Sequence, residues 1–387
     1  MKTGTKKMLL GLGLFLLIVA VGLLASRPAR ESILATLKQQ QQVQKAQTIY
    51  GAVGGGKENF LADAEVNRIL LEDYQLVVIN DAWSNGKLIK EPLTYEQNGV
   101  NKTYDFVFFS DQRYYEYYQT PAASGEALRL PRKKSAVALN TPIVFYSWDQ
   151  VTQALMAQGI VSETDGVFYV TDMPRLLAYI NEEKKWSEIG VGGLYGSVNI
   201  ASTDPVTSSP GATYYGLLAA IMGDGQVSAQ SLITVLPRLQ DFYLKSGFMN
   251  NTPADLFDLY LRTGMGAKPL IVDYEKSMVD FANQNPEGYA QVKDRVRILY
   301  PAPTIWNSHC IIAFSDAGVR FVEALSDKRI QEIAFSRYGF RTGVTGGQYD
   351  VSAVGVTGIP QELVSVVPGL TMDTYERIVS ALKEAGE

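Results

Sequence analysis

Apolar and polar positions along this chain follow two alternating periods, and the switches between them predict the elements. Residues 48–53 read as a strand. Residues 63–72 read as a helix, with Asp63 at its cap and Glu65, Val66, Ile69 and Leu70 behind it. The run QLVVIN at 75–80 predicts a buried strand, YDFVFFS at 104–110 another, and 136–146 a long β-rich stretch. A second series follows. Helices are expected at 173–181, 211–222 and 254–262. Strands are expected at 196–202, 269–274 and 296–300, the last ending at Pro301. The strand at 269–274 feeds a helix at 275–282, and two more helices follow at 318–325 and 327–338. Strand–helix alternation of this kind predicts α/β architecture with largely parallel sheets. No short internal repeat is present.

The amino terminus departs from this pattern. Lys2, Lys6 and Lys7 precede an uncharged apolar run at 8–25. As a helix it would reach roughly 27 Å, close to the hydrocarbon thickness of a bilayer. A cleavable signal peptide is the alternative, but a cut after Ala25 would place Leu23 at the −3 position, where a small residue is wanted. No cysteine follows the run to carry a lipid. Residues 1–30 are therefore expected to be a transmembrane signal anchor. Three lysines before the run against Arg27 and Arg30 after it put the body outside the cytoplasm. The glutamine-rich stretch 31–47 reads as a helical spacer.

Composition narrows the remainder. The chain has 387 residues, 46% of them apolar, so the body is large enough for two domains. A net charge of −5 spread along the chain argues against a nucleic-acid partner. One cysteine, Cys310, and one histidine, His309, permit neither an internal disulfide nor a Cys/His zinc site within the chain.

Candidate chemistry sits where loops follow strands and precede helices, the usual ligand position in open α/β sheets. The stretch from Gly51 to Lys57 nearly spells a phosphate-binding loop. It fails at Glu58, where a hydroxyl should hold magnesium and a carboxylate would repel phosphate. Gly55 and Gly56 instead let the backbone approach a small ligand and offer N–H groups, with Lys57 beside them. Trp83 can cover a ligand, and Ser84 and Asn85 can hydrogen-bond it; a surface turn with Trp83 packed on the lobe is the alternative. Ser110, Asp111 and Gln112 give a weaker signal of the same kind. The richest segment is 202–211, where Ser202, Thr203, Asp204, Thr207, Ser208 and Ser209 lead into a helix. Ser209 suits its N-cap and Pro210 its first turn. Capping alone explains only these two, so the segment is expected to bind an anion or polar group. Catalysis lacks a constellation: no Gly-x-Ser-x-Gly elbow occurs, and His309 sits just before an apolar strand.

Several stretches together resemble the type II periplasmic solute-binding proteins of ABC transporters, in the branch around molybdate and sulfate binders. They include IYGAVGGGKENFLADAEV, YDFVFFSD, TPIVFYSWDQVTQALMAQGIV, YGSVNIASTDPVTSSPG and ILYPAPTIWNSH. The likeness runs from about 48 to 343 and lies in order and spacing more than in any one motif. It implies two α/β lobes, each a mixed, mostly parallel sheet flanked by helices, joined by two hinge strands near 139–143 and 300–309. Lobe 1 would be 48–140 plus 308–387, and lobe 2 would be 141–307. Carried over, the ligand would meet Gly55, Gly56, Lys57 and Ser84 from lobe 1, and Ser202, Thr203, Asp204, Ser208 and Ser209 from lobe 2. Gly56 and Trp83 depart from the Gly-Ser pairs of such relatives, removing a hydroxyl and narrowing the cleft. The implied role is capture of a small solute for a permease, with no cofactor, no metal and no catalysis. The alternative is an anchored envelope sensor or scaffold on the same fold.

Overall fold

The structure, a computed structural model, describes residues 45–386 except 120–129 and positions 226, 248, 250, 251, 346, 348, 349 and 364, together with positions 28, 31, 32, 36 and 43. The apolar run 8–25 and most of the 31–47 spacer lie outside the described residues. Among the described residues no helix is long and apolar enough to cross a membrane.

Thirteen strands are described: β1 Gln47–Gly54, β2 Leu76–Trp83, β3 Thr94–Gln97, β4 Val100–Thr103, β5 Phe106–Phe108, β6 Lys134–Trp148, β7 Val161–Thr164, β8 Val167–Val170, β9 Leu270–Tyr274, β10 Val296–Pro301, β11 Thr304–Ala313, β12 Arg341–Thr342 and β13 Val366–Val367. β3 and β4 form a separate hairpin, and the other eleven share one sheet, eight in the order β2-β1-β5-β11-β6-β10-β8-β7 with β9 and β12 on β6 and β13 on β11. Parallel pairing is confined to β2–β1–β5, β8–β10 and β11–β13, and the remaining pairs are antiparallel. The sheet is therefore mixed and not largely parallel, because β6 and β11 run back through it as long crossing strands.

β6 serves two neighbourhoods. Its residues 134–142 pair with β11, and 143–148 pair with β9 and β10. Two cores form on either side of this handover. The first gathers Ile49, Val66, Phe106, Leu139, Ile311 and Phe321. The second gathers Phe145, Leu176, Leu218, Leu239, Val272 and Leu299. The second core also takes Val354, Val356, Ile359, Leu370, Ile378 and Leu382. The stretch from Val354 to Leu382 thus packs with the core that holds β9 and β10. Its terminal helix, Met372–Gly386, buries Ile378 and Leu382 beside the helix Ala229–Ser246, and Gln240 Nε2 donates to Ala381 O at 2.8 Å.

Local expectations are met where burial follows the pattern. Asp63 caps the helix Ala64–Glu72, accepting from the Glu65 and Val66 amides. The helix Met173–Asn181 matches its predicted span, with a cap at Asp172. Two strands differ. β2 is an edge strand with only Leu76 buried and Ile79 43% exposed, since one flank has no neighbour among the described residues. The stretch 196–202 forms only isolated bridges, from Ser197 to Lys185 and from Ala201 to Ile271. Its backbone reaches β9 without joining a ladder.

The lobes are held closely together. Arg341 and Glu275 form a fully buried ion pair, with Nε to Oε1 at 2.7 Å and Nη2 to Oε2 at 2.8 Å. Tyr300 donates to the same carboxylate at 2.6 Å. Gly339 closes the helix Lys328–Tyr338 at φ +67°, and a Cβ there would lie 2.6 Å from the Lys276 Cα.

Candidate functional site

The loop after β1 turns inward. Gly56 has φ +85°, which a side-chain-bearing residue rarely adopts, and its amide donates to Glu58 Oε2 at 2.8 Å. The glycines therefore do not present a free nest of amides; the chain's own carboxylate takes one. Lys57 caps the short helix Glu58–Leu61, and its side chain is completely buried. Its Nζ donates to Ser110 Oγ at 2.8 Å and to Gly55 O at 3.4 Å, and lies 3.2 Å from His309 Nδ1. It also rests 4.9 Å from the centre of the Phe108 ring. Burial pushes this amine down to about 7, partly opposed by Glu58 and assisted by Lys276. His309 is held well below the usual imidazole range by burial and then by Lys57, so its ring is neutral beside the amine. Its Nε2 has no partner among the described residues.

Ser110 joins three segments. Its Oγ donates to Gly55 O at 2.6 Å, its amide to Asn85 Oδ1 at 3.1 Å, and its carbonyl accepts from Asn307 Nδ2 at 2.7 Å. Asn307 and His309 lie two residues apart on β11, so both face the same side of the sheet. Next along, Asp111 grips Arg113 through Nε at 2.9 Å and through Nη2. Arg113 is 3% exposed, and its Nη1 has no partner among the described residues.

Ser84 does not join this group. Its Oγ accepts from the Lys87 amide at 3.2 Å and so caps the helix Asn85–Lys90. Trp83 packs edge-on against Tyr104 and under Lys87 Nζ, at 3.9 Å, which is the packed surface turn.

On lobe 2 the 202–209 loop satisfies itself. Ser202 Oγ donates to Thr203 O at 3.1 Å and Ser208 Oγ to Thr203 Oγ1 at 2.8 Å. Asp204 Oδ1 accepts from the Val206 amide at 2.9 Å, closing its own turn. The helix is Ser209–Met222, so the N-cap is Ser208, one residue before the expected Ser209, and it makes no side-chain cap. Gly211 lets the loop lie against the helix: a Cβ there would sit 2.3 Å from Thr203 O. Among the described residues no hydrogen bond joins this loop to Lys57, Ser110 or Arg113. Thr213, one turn into the helix, is the lobe-2 helix residue that lines a small cavity with Asp111, Gln112, Arg113, Ile305, Trp306 and Asn307. Gly369 and Leu370 of the carboxy-terminal stretch complete its wall.

Architecture of this kind has known counterparts. No protein-family model and no curated protein matches this chain. Solved structures do. A Bordetella parapertussis protein described as an extracellular solute-binding protein superposes at TM-score 0.58 with 12% identity, covering 87% of this chain and 97% of that one. Apo ferric ion-binding protein A of Pasteurella haemolytica gives 0.54 and 12% over 88% and 98%, and apo FutA2 of Synechocystis PCC6803 gives 0.51 and 13% over 88% and 99%. The fold is the two-lobed periplasmic-binding-protein fold. Within it, Arg113 and Asn307 line a small cavity with Thr213 and Leu370, and Lys57, Ser110 and His309 connect to it through the Ser110–Asn307 hydrogen bond. Among the described residues no three His, Cys, Asp or Glu side chains gather as a metal site.

The sequence points to Gly55, Lys57 and Ser110, sets His309 aside as a residue before an apolar strand, and gives no reading of Arg113 or Asn307. A signal for Asn307 and His309 was available. In TIWNSHCIIA, two polar residues at i and i+2 interrupt an apolar strand on one face.

Proposed function

We propose that this chain is an extracytoplasmic solute-binding protein. It takes a small polar or anionic solute between its lobes and passes it to an ABC-type permease, in the manner of the molybdate and sulfate binders. The run 8–25 would hold it to the membrane with its body outside the cytoplasm. Lys57 carries the reading. A fully buried lysine has only neutral partners within hydrogen-bond reach, Ser110, Gly55 and His309. Burial without a counter-charge disfavours the charged amine, and an arriving anion would restore that charge. The unpartnered Nη1 of Arg113 offers a second donor.

Binding, not catalysis, suits these atoms. Ser110 and Lys57 are the nearest approach to a nucleophile and base, yet Ser110 spends its proton on Gly55 O while accepting from the amine. The serine is therefore not activated. Gly55, Gly56, Ser84 and the lobe-2 set Ser202, Thr203, Asp204, Ser208 and Ser209 are proposed to shape the cleft walls. Asp204 is turned to its own backbone and leaves the cleft's charge to Lys57.

A thermal-shift screen of purified 31–387 against molybdate, sulfate, phosphate and neutral solutes tests this. A ligand at one hundred times its Kd stabilises the folded state by about 2.7 kcal/mol. The shift should vanish in Lys57→Ala and survive in Asp204→Asn; no shift with any solute would sink the proposal. One observation favours a sensor over a transporter: the chain's own carboxy-terminal stretch lines the Arg113 cavity. Solute uptake by cells lacking this chain separates the two.

A further inference from the structure

The sequence motifs leave the carboxy-terminal stretch unused, yet it touches both lobes where a solute would enter. Ser365 O accepts from the Thr304 amide at 3.0 Å, and β13 then lies parallel to the first residues of β11, Val366 opposite Thr304 and Val367 opposite Ile305. The backbone is thereby added as a strand to one of the two crossing strands. Gly369 packs so closely on Gln112 of lobe 1 that a Cβ there would overlap its amide nitrogen. Leu370 fills a notch over Gly216 of the lobe-2 helix, where a Cβ would meet it at 2.8 Å. Tyr375 lies across Arg113, whose guanidinium carbon is 4.0 Å from the ring centre. The Tyr375 phenol is pushed up by burial, with Asp111 of lobe 1 and Asp204 of lobe 2 both adding to it. The ring thus lies on Arg113, within electrostatic reach of Asp111 and Asp204.

What remains between the lobes at this point is a cavity of about 10 Å³, room for roughly one water molecule. A tetrahedral oxyanion does not fit there while the stretch is seated.

We infer that residues 365–377 form a built-in strap that fills the interlobe cleft, holds the lobes together and must leave before a solute can reach Arg113. The inference rests on the two-lobe binding reading and adds its regulation. The strap is held by backbone pairing to a crossing strand, an apolar side chain in a glycine notch, and a ring on a guanidinium. Arg113 keeps Nη1 in reserve for an oxygen of the incoming solute, since Asp111 occupies only Nε and Nη2. Displacement exchanges the tyrosine face for that oxygen. It also frees the edge of β11 at Thr304 and Ile305.

Two measurements on the full chain test this. The first needs no ligand. Tyr375→Ala should speed amide hydrogen exchange across 365–377 by roughly tenfold or more, the size expected from losing a desolvated cation–π contact. It should also raise the radius of gyration in small-angle scattering. The second titrates sodium molybdate, sulfate and phosphate. The anion that binds should loosen the 365–377 amides in the wild type and bind Tyr375→Ala roughly tenfold tighter. If Tyr375→Ala leaves both exchange and radius unchanged, the strap is refuted whatever the ligand does. An anion that binds both proteins equally, with the amides still protected, refutes the gate and leaves the solute reading standing. Loosened amides and opened lobes with no solute bound in any screen would keep the strap and remove the solute reading.

Discussion

Replacing Lys57 by methionine separates burial from charge. The wild-type amine has a value of about 7 when folded against an ordinary value of 10.5. Between those two pH values the unfolded chain holds a proton that the folded chain has released, so folded stability rises as pH rises across that window. The slope is about 1.4 kcal/mol per pH unit, which makes the wild type roughly 2.5 kcal/mol more stable at about pH 9.5 than at about pH 7.5 from this group alone. Methionine keeps the volume and the contact with Phe108, and removes the titration. It also removes the donor to Ser110, which retains its bond to Gly55 O, and leaves His309 Nδ1 without a partner. That last loss costs about 1–3 kcal/mol. Relief of the buried amine at about pH 7.5 is worth roughly 4 kcal/mol. Lys57→Met should therefore unfold at higher urea than wild type at about pH 7.5, and the advantage should shrink and reverse toward about pH 9.5. Urea melts of both proteins at half-unit pH intervals measure this. A constant difference between the two curves across that range would refute the assignment of a low amine value to Lys57.

Other outcomes follow from the same structure. Asp273 is raised by burial to about 7 from an ordinary 3.8, so its contribution is present at low pH and lost as pH climbs through that interval; Asp273→Asn should flatten the fall in stability between about pH 4 and pH 7 in the same melts. Glu275→Gln strands the Arg341 guanidinium in the interior and should cost about 3–5 kcal/mol, whereas Glu275→Gln with Arg341→Met should recover most of it, as a double-mutant cycle by denaturant unfolding would read. Gly339→Ala meets both the left-handed backbone, worth about 1–2 kcal/mol, and the Lys276 backbone; it should lower Tm and raise the radius of gyration read from the small-angle scattering profile by pushing the lobes apart. An unchanged profile would mean that this contact does not set the lobe spacing.

Much of the architecture was legible because burial in α/β sheets writes itself as apolar runs. Phe106 to Phe108 and Ile298 to Tyr300 have strands on both sides and read as strands from sequence. β2 reads the same way and is an edge, because an apolar run records a strand but not the number of its neighbours. The direction of neighbouring strands is likewise invisible: β6 and β11 look like their parallel companions, yet pair antiparallel. At the site, loop position drew attention to Lys57 and Ser110, where β1 and β5 end. Whether a side chain turns outward or inward is decided by residues far along the chain. His309 and Phe108 receive Lys57, and neither is near it in sequence. Ser84 and Asp204 were drawn away by local caps and turns, which compete for the same hydroxyls and carboxylates that a ligand would use.

The two crossing strands also set an order on how the chain can be completed as it is made. β5 is flanked by β1 and β11, and β11 ends at Ala313, about 200 residues downstream of Phe108, so ribosomes adding 5–20 residues per second leave that edge of β5 open for roughly 10–40 s. Through that interval the aromatic stretch 106–109 has no partner on one side. The second core waits longer still, for Leu370, Ile378 and Leu382 near the end of the chain. Neither lobe is a contiguous stretch that could finish early and shelter the other. Nascent chains stalled between Trp148 and Thr304 should then be the ones that holdase chaperones retain, and 106–109 the place where they are gripped.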